Sequence, residues 1–91
     1  MKIIFRVHAV QRMFERGVSA QDVRRVVEGG EVVEDYSDDT PNPSRLMLGW
    51  RGKHPLHVVA EEQAGQDAAI IVTAYVPDRG QWGSDFKRRR R

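Results

Sequence analysis

The sequence contains no cysteine, which excludes disulfide bonds and thiolate metal sites. It also lacks any apolar run approaching the roughly 18 residues that a membrane span requires. The opening segment, MKIIFRVHAV, has too short an apolar stretch and too many basic groups for a secretory signal peptide. These absences favour a cytoplasmic protein that does not interact with membranes.

Positive charge is scarce outside the last five residues. Residues 1–86 hold ten basic and thirteen acidic residues, whereas KRRRR at 87–91 supplies five further basic residues. A chain of 91 residues has room for one compact core, so we expect a single domain over 1–86 and a basic tail over 87–91. Such a tail either attracts phosphate backbones and acidic partners or serves as a solubilising end.

Two amphipathic helices are predicted in the first third of the chain. The first covers 8–16, where Val10, Met13 and Phe14 recur at helical spacing and predict the packed face. The second begins at SAQD, residues 19–22, which resembles a capping box with aspartate in place of the usual glutamate. A pair of glycines ends this helix.

Beyond the glycines, the spacing of apolar residues changes to the two-residue period of strands. The predicted strands cover 31–36, 45–50, 56–62 and 68–76, while 2–6 is either a short strand or an extended lead-in. Short connections favour an antiparallel meander. The predicted fold class is therefore α+β, with two N-terminal helices packed on a four-stranded antiparallel sheet and an irregular end after residue 76.

The first predicted helix carries a candidate site. His8, Arg12 and Glu15 lie at positions i, i+4 and i+7, so they stack along one side, with Arg16 beside them. An imidazole, two guanidiniums and a carboxylate are groups that position phosphates and transfer protons. A solvated helix face shows the same pattern, so the sequence leaves both interpretations open.

Two strand residues are further candidates. His57 alternates with the apolar residues of its predicted strand, and Tyr75 lies near the end of the last one. Each is either a structural residue with a satisfied polar tip or part of a cavity shared with His8 and Arg12.

A metal site is not predicted. His54 and His57 point to opposite faces of a strand, and the acidic residues Asp35, Asp38 and Asp39 are typical turn formers. We therefore expect neither a metal nor another cofactor.

A helix-turn-helix is a weaker alternative for RGVSAQDVRRVV, residues 16–27, whose second helix would present Arg24 and Arg25 to DNA. Strands follow at once, in place of the third helix that such domains normally have.

Five blocks in order carry a resemblance to a known family. They are HAVQRMFERG, GEVVEDYSDD, PNPSRLMLG, PLHVVA and IIVTAYVPD. This pattern, followed by Trp82, resembles a family of small prokaryotic proteins known as the domain of unknown function DUF4258. Through that family it resembles the RelE and MqsR toxins of type II toxin-antitoxin systems.

The resemblance implies a RelE-like fold and a metal-independent endoribonuclease, a hydrolase in which the ribose 2′-hydroxyl attacks the adjacent phosphate. It implies that His57 or His8 acts as general base or acid and that Arg12 holds the phosphate. Tyr75 would then orient the substrate, and Glu15 would hold the side chain of Arg12 or His8.

The resemblance further implies two partners, namely RNA, free or on the ribosome, and an antitoxin of the zinc-finger MqsA type. The predicted RNA-binding residues are Arg16, Lys87, Arg88, Arg89, Arg90 and Arg91. The alternative is a non-catalytic protein- or nucleic-acid-binding module of the same fold. A toxin requires one histidine beside Arg12 in an open concavity, whereas a binding module would bury both histidines or hold them apart.

Overall fold

The computed structural model describes residues 1–36, 38, 43–63 and 67–89, and within them it forms two helices and five strands. The elements in chain order are β1 (Lys2–Phe5), α1 (Val7–Arg16), α2 (Ala20–Gly29), β2 (Glu31–Tyr36), β3 (Ser44–Arg51), β4 (His54–Glu62) and β5 (Ala68–Tyr75). The predicted site residues Arg90 and Arg91, and Asp39 of the weighed metal site, lie outside the described residues.

The strands form one mixed sheet in the order β1-β5-β4-β3-β2. Strand β1 pairs parallel with β5, from Lys2 opposite Ala68 to Phe5 opposite Ile71, and the other neighbours are antiparallel. The predicted four-stranded antiparallel sheet is therefore wrong, although the α+β class holds. The sequence alone leaves residues 2–6 open as a strand or a lead-in, and it does not predict the place of β1 in the sheet, because the partner of β1 is distant in sequence and alternation within a segment does not identify a distant partner. A parallel neighbour also needs a long connection, which the two helices and three strands between them supply.

Both helices pack on one face of the sheet. In α1 the buried residues are Ala9 and Met13, whereas Val10 and Phe14 of the predicted packed face are exposed. Gly17 ends α1 in the left-handed conformation, with φ of 67°, and its amide donates to carbonyls of the last turn. The predicted capping box of α2 is confirmed.

A continuous apolar core fills the space between the helices and the sheet. Its buried members are Ala9, Met13, Val18, Val23, Val26, Met47, Leu56, Val58, Ala60, Ala69, Ile71 and Ala74. Every one of these side chains is apolar, so this face of the sheet has a structural role.

The opposite face of the sheet is covered by residues 76–89, which we call the C-terminal segment. Trp82 and Phe86 are buried there against Leu46 and Leu48 of β3. A bridge between Trp82 and Arg89, and a hydrogen bond of 2.7 Å from the Gly83 amide to the Arg88 carbonyl, close the segment on itself. The segment thus supplies a second, smaller core.

Among the described residues, neither helix is long and apolar enough to cross a membrane.

Candidate functional site

A cluster of polar side chains lies on the sheet face that the C-terminal segment covers. It comprises Arg16, Glu34, Tyr36, His57, Tyr75 and Arg89, which we call the polar cluster. Its geometry depends on two irregularities in the sheet, on His57 at its centre, and on Arg16 and Arg89.

An irregularity in β2 brings Glu34 to this face. The register of β2 against β3 shifts between Val32 and Glu34, so that Val32 lies opposite Met47 and Glu34 lies opposite Leu46. Met47 belongs to the helix-side core and Leu46 to the core under the C-terminal segment. In a regular strand, residues two apart share a face. The extra residue therefore moves Glu34 from the helix side to the opposite side.

A second irregularity, in β5, brings Tyr75 to the sheet face that the C-terminal segment covers. Thr73 pairs with Val59 whereas Ile71 pairs with Ala60, so one residue of β5 is skipped between them. Ile71 lies in the helix-side core, but Tyr75 lies directly opposite His57 and packs with the other core. Bulges of this kind redirect side chains and are frequent beside active sites.

His57 is the centre of the polar cluster and is fully buried. Its Nε2 lies 2.8 Å from the carbonyl oxygen of Phe86, which can only accept, so Nε2 carries the hydrogen. Burial lowers the pKa of His57, which makes the neutral ring the form present at pH 7. The hydroxyl of Tyr75 then donates to Nδ1 across 3.2 Å.

This arrangement fixes the orientation of the Tyr75 hydroxyl. Its proton points to His57, so a lone pair of the phenolic oxygen is directed away from the histidine. Burial raises the pKa of Tyr75, so the hydroxyl is protonated at neutral pH. The Trp82 ring meets the His57 ring edge to face at 4.5 Å, which holds the imidazole in place.

Glu34 and Arg89 form a two-point ion pair beside His57. Both contacts, Arg89 Nε to Glu34 Oε2 and Arg89 Nη2 to Glu34 Oε1, measure 3.0 Å. Hydrogen bonds from Arg89 lower the pKa of Glu34, and its carboxylate also accepts from the Tyr36 hydroxyl. The guanidinium of Arg89 lies 4.7 Å from the centre of the Trp82 ring, a cation–π distance. A positive charge is thereby held over the Trp82 ring, which itself packs against His57.

Arg16 reaches the polar cluster from the helix layer. Strand β1 covers β5 only as far as Ile71, and beyond it Arg16 Nη1 donates to the Ala74 carbonyl across 3.0 Å. The charge of Arg16 acts on Tyr75, as do those of Arg89 and Glu34. The charges of two arginines from opposite ends of the chain thus both act on Tyr75.

The structure separates the other predicted site residues from the polar cluster. His8, Arg12 and Glu15 are exposed on α1, across the sheet from His57. Lys87 and Arg88 are exposed on the C-terminal segment, where Lys87 forms an ion pair with Glu31 at 2.9 Å. Of the predicted residues, Arg16, His57, Tyr75 and Arg89 are brought together.

Sequence reasoning missed Glu34 and Tyr36. Both lie in EVVEDY, where strict alternation assigns Glu34 to the face of Val32 and so to the helix side. An acidic residue and a tyrosine two positions apart in a strand were a usable signal, but the bulge that redirects them was not visible in the sequence.

Among the residues that the structure describes, no group of three histidine, aspartate or glutamate side chains is arranged to hold a metal ion. The polar cluster itself contains two phenols, an imidazole, a carboxylate and two guanidiniums. Such groups transfer protons and bind phosphate.

Comparison with known proteins identifies a family. The model described as "Domain of unknown function (DUF4258)" matches residues 5–76, which is most of the chain and includes both helices and strands β2 to β5. The chain belongs to this family. No curated protein matches it.

Proposed function

We propose that this DUF4258 protein is an endoribonuclease that cleaves single-stranded RNA without a metal ion, using the polar cluster. The observation that carries the proposal is the double redirection of Glu34 and Tyr75 to the face of His57. Two sheet irregularities place a carboxylate and a phenol beside a buried imidazole, within a core that is otherwise apolar. A carboxylate, an imidazole and a phenol whose pKa values are all shifted by their surroundings support a chemical role when they lie together in this way.

The proposed reaction uses the orientation of the Tyr75 hydroxyl. The phenolic oxygen accepts the proton of a ribose 2′-hydroxyl while its own proton passes to Nδ1 of His57. The bond from O2′ to phosphorus forms, and the bond from phosphorus to O5′ breaks. The proton returns through Tyr75 to O5′, which leaves a 2′,3′-cyclic phosphate and a free 5′-hydroxyl.

The two arginines provide the charge that this reaction needs. The charges of Arg16 and Arg89 both act on Tyr75, and guanidinium groups bind phosphate oxygens in a fixed geometry. The charge that develops on the phosphorane is thereby stabilised. Glu34 holds Arg89 in position through its two-point contact.

The biological setting belongs to the same proposal. We infer that the protein acts in the cytoplasm as the toxin of a toxin-antitoxin pair related to the RelE and MqsR toxins. An antitoxin of the zinc-finger type is its proposed partner. The basic residues Lys87 and Arg88, which flank the site on the C-terminal segment, support RNA attraction by long-range electrostatics.

The chemistry is tested with purified protein, a single-stranded RNA oligonucleotide and EDTA. The proposal predicts fragments that end in a 2′,3′-cyclic phosphate, and no cleavage where one 2′-deoxy nucleotide replaces the cleaved position. Arg16→Gln should slow cleavage by about 10²-fold or more. Arg12→Gln, one turn earlier on α1, is the matched control and should cleave at the wild-type rate. Intact RNA after incubation with folded wild-type protein would overturn the proposal.

A second candidate function, a partner-binding module without catalysis, is favoured by the outer surface of α1. Val7, Val10 and Phe14 are 71%, 50% and 88% exposed and follow one another at helical spacing. We call this row the α1 stripe. Exposed apolar rows of this kind mark protein interfaces. His57 is buried and lies across the sheet from His8 and Arg12, the arrangement expected of a binding module.

The α1 stripe also suits the proposed antitoxin, so the two functions are separated by experiment. A zinc-finger antitoxin of the MqsA type is co-expressed with wild type, Phe14→Ser and Trp50→Ser, the last a control at an exposed aromatic residue of β3. We expect Phe14→Ser alone to lose the complex. A complex formed equally by all three would exclude the α1 stripe as its interface.

A further inference from the structure

Trp50 is an exposed aromatic residue on the same sheet face as the polar cluster. It follows Leu46 and Leu48 at alternate positions of β3, and Leu48 lies directly opposite His57. Half of the Trp50 surface is exposed, whereas Trp82 is 1% exposed. The sheet thus presents one tryptophan to solvent close to the histidine and buries the other against it.

The position of Trp50 relative to His57 is fixed through Phe86. The Trp50 and Phe86 rings meet edge to face with centroids 6.1 Å apart, and the Phe86 carbonyl accepts the hydrogen bond from His57. Phe86 adopts a positive φ of 58°, which is uncommon for a residue with a large side chain. The turn of the C-terminal segment that contacts His57 therefore also supports Trp50 from one side.

Three basic residues and one acidic residue lie near this tryptophan. Arg25 of α2 and Glu31 of β2 line, together with Trp50, a groove of about 220 Å³. Lys87, next to Phe86 in the chain, binds Glu31 at 2.9 Å, and Arg88 follows it at the surface. An exposed indole among Lys and Arg side chains is the arrangement by which proteins bind single-stranded nucleic acid, since each base can stack on the ring while the backbone meets the cations.

We propose that Trp50 is a stacking site for one unpaired base of the RNA strand, beside the nucleotides held at the polar cluster. This inference rests on the proposed function for its choice of RNA as ligand. It adds that the substrate is unpaired where it crosses β3, because a paired base has its faces already stacked in the duplex.

The test measures binding of a 2′-O-methyl RNA octamer, which lacks the attacking hydroxyl and stays intact. Binding is followed by a labelled oligonucleotide and by tryptophan fluorescence, in which Trp50 is the exposed reporter. We expect Trp50→Ala to weaken binding about 5- to 150-fold, the loss of one base–aromatic stack. Trp50→Phe should keep most of the affinity, and an oligonucleotide held in a duplex should bind more weakly than the single strand.

The control is Val32→Ala, which truncates an exposed apolar side chain on the helix side of the sheet and should leave binding unchanged. Circular dichroism establishes that each variant is folded. Equal affinity of wild type and folded Trp50→Ala would overturn the inference. Self-association that Trp50→Ala abolishes, without any change in oligonucleotide affinity, would also overturn it and would assign Trp50 to a protein contact.

These outcomes separate the inference from the proposed function. Binding that depends on Trp50, in a protein that leaves unmodified RNA intact, keeps the stacking site and overturns the nuclease. Cleavage of RNA at the same rate by wild type and Trp50→Ala, with equal affinity for the octamer, keeps the nuclease and overturns the stacking site.

Discussion

The two faces of the sheet differ in what covers them and in what they contain. On one face, two helices bury a core of purely apolar residues. On the other, a segment with few regular hydrogen bonds covers a smaller core that includes a fully buried histidine. A core built only for stability does not need His57, Glu34 or Tyr75, because buried polar groups contribute stability only when every one is paired. Both sides therefore contain packed apolar side chains, but only the C-terminal side contains the polar groups on which the proposed function depends.

The largest expected effect is on the free energy of unfolding. It tests whether the two helices and the C-terminal segment are both integral parts of the fold. Leu56→Ala truncates the helix-side core and should lower the free energy of unfolding by about 2–5 kcal/mol. Trp82→Ala truncates the other core and should lower it by about 3–5 kcal/mol. Urea denaturation measures both. Val32→Ala, at a half-exposed position of β2, is the control and should change stability by less than about 0.5 kcal/mol. If Trp82→Ala lowered the free energy of unfolding as little as Val32→Ala does, the C-terminal segment would be only loosely packed on the sheet.

The next effect is a dependence of stability on pH that only the C-terminal side should produce. Burial lowers the pKa of His57 in the folded protein below its ordinary value of 6.5. Between these two values the unfolded chain binds a proton that the folded chain does not, so stability is lost as the pH falls below 6.5. The slope should reach up to about 1.4 kcal/mol per pH unit.

Chemical denaturation between pH 5 and 8 measures this slope. His57→Gln should remove it, whereas His54→Gln, at the exposed end of the same strand, should keep it. Carboxylates whose pKa is lowered, such as Glu34, lose their contribution to stability only at more acidic pH. They therefore do not affect the comparison of the two histidine variants. An unchanged slope in His57→Gln would contradict the buried neutral imidazole.

A smaller effect concerns how the helix side is built. The hydroxyl of Ser19 accepts from the Asp22 amide at 3.0 Å, and the Asp22 carboxylate accepts from the Ser19 amide. Ser19→Ala should therefore cost about 1 kcal/mol in thermal or urea unfolding. Ser84→Ala, at an exposed position of the C-terminal segment, should cost much less. Equal losses would show that the capping box does not stabilise α2.

The smallest effect compares two ion pairs. Arg89 contacts both oxygens of Glu34, and Arg6 contacts both oxygens of Glu61, at 2.8 and 2.9 Å. Double-mutant cycles with glutamine should give coupling free energies of about 0.2–1 kcal/mol for each pair. We expect the larger value for Arg89, since its guanidinium also lies over Trp82. A larger coupling free energy for the Arg6–Glu61 pair would show that the contact of Arg89 with Trp82 does not strengthen the Arg89–Glu34 pair.

The local features of the helix side were predictable from the sequence, and the long-range ones were not. The capping box of SAQD and the glycine that ends α1 depend on neighbouring residues and were confirmed. The parallel pairing of β1 depends on residues more than sixty positions away, and the prediction missed it. The packed side of α1 was also misassigned, because Ala9 and not Phe14 lies closest to the sheet.

The polar cluster was predictable only in part, for the same reason. His57 and Tyr75 stood out as polar residues in apolar strands. The contact of His57 with Trp82, and of Trp82 with Arg89, depends on how the C-terminal segment folds back over the sheet, which no local pattern indicates. Glu34 depends in addition on the irregularity at Val33, since without the extra residue the same sequence would direct it to the helix side.

The measurement that tests the central claim most directly is the rate of RNA cleavage in EDTA by variants of the two faces. Tyr75→Phe removes only the hydroxyl that donates to His57, and it should slow cleavage by about 10²–10⁴-fold while the protein remains folded. The double variant His8→Ala, Arg12→Ala changes only the exposed surface of α1 and should cleave at the wild-type rate. The reverse result, with full activity in Tyr75→Phe and loss in the double variant, would contradict the account and move the active site to the helix side.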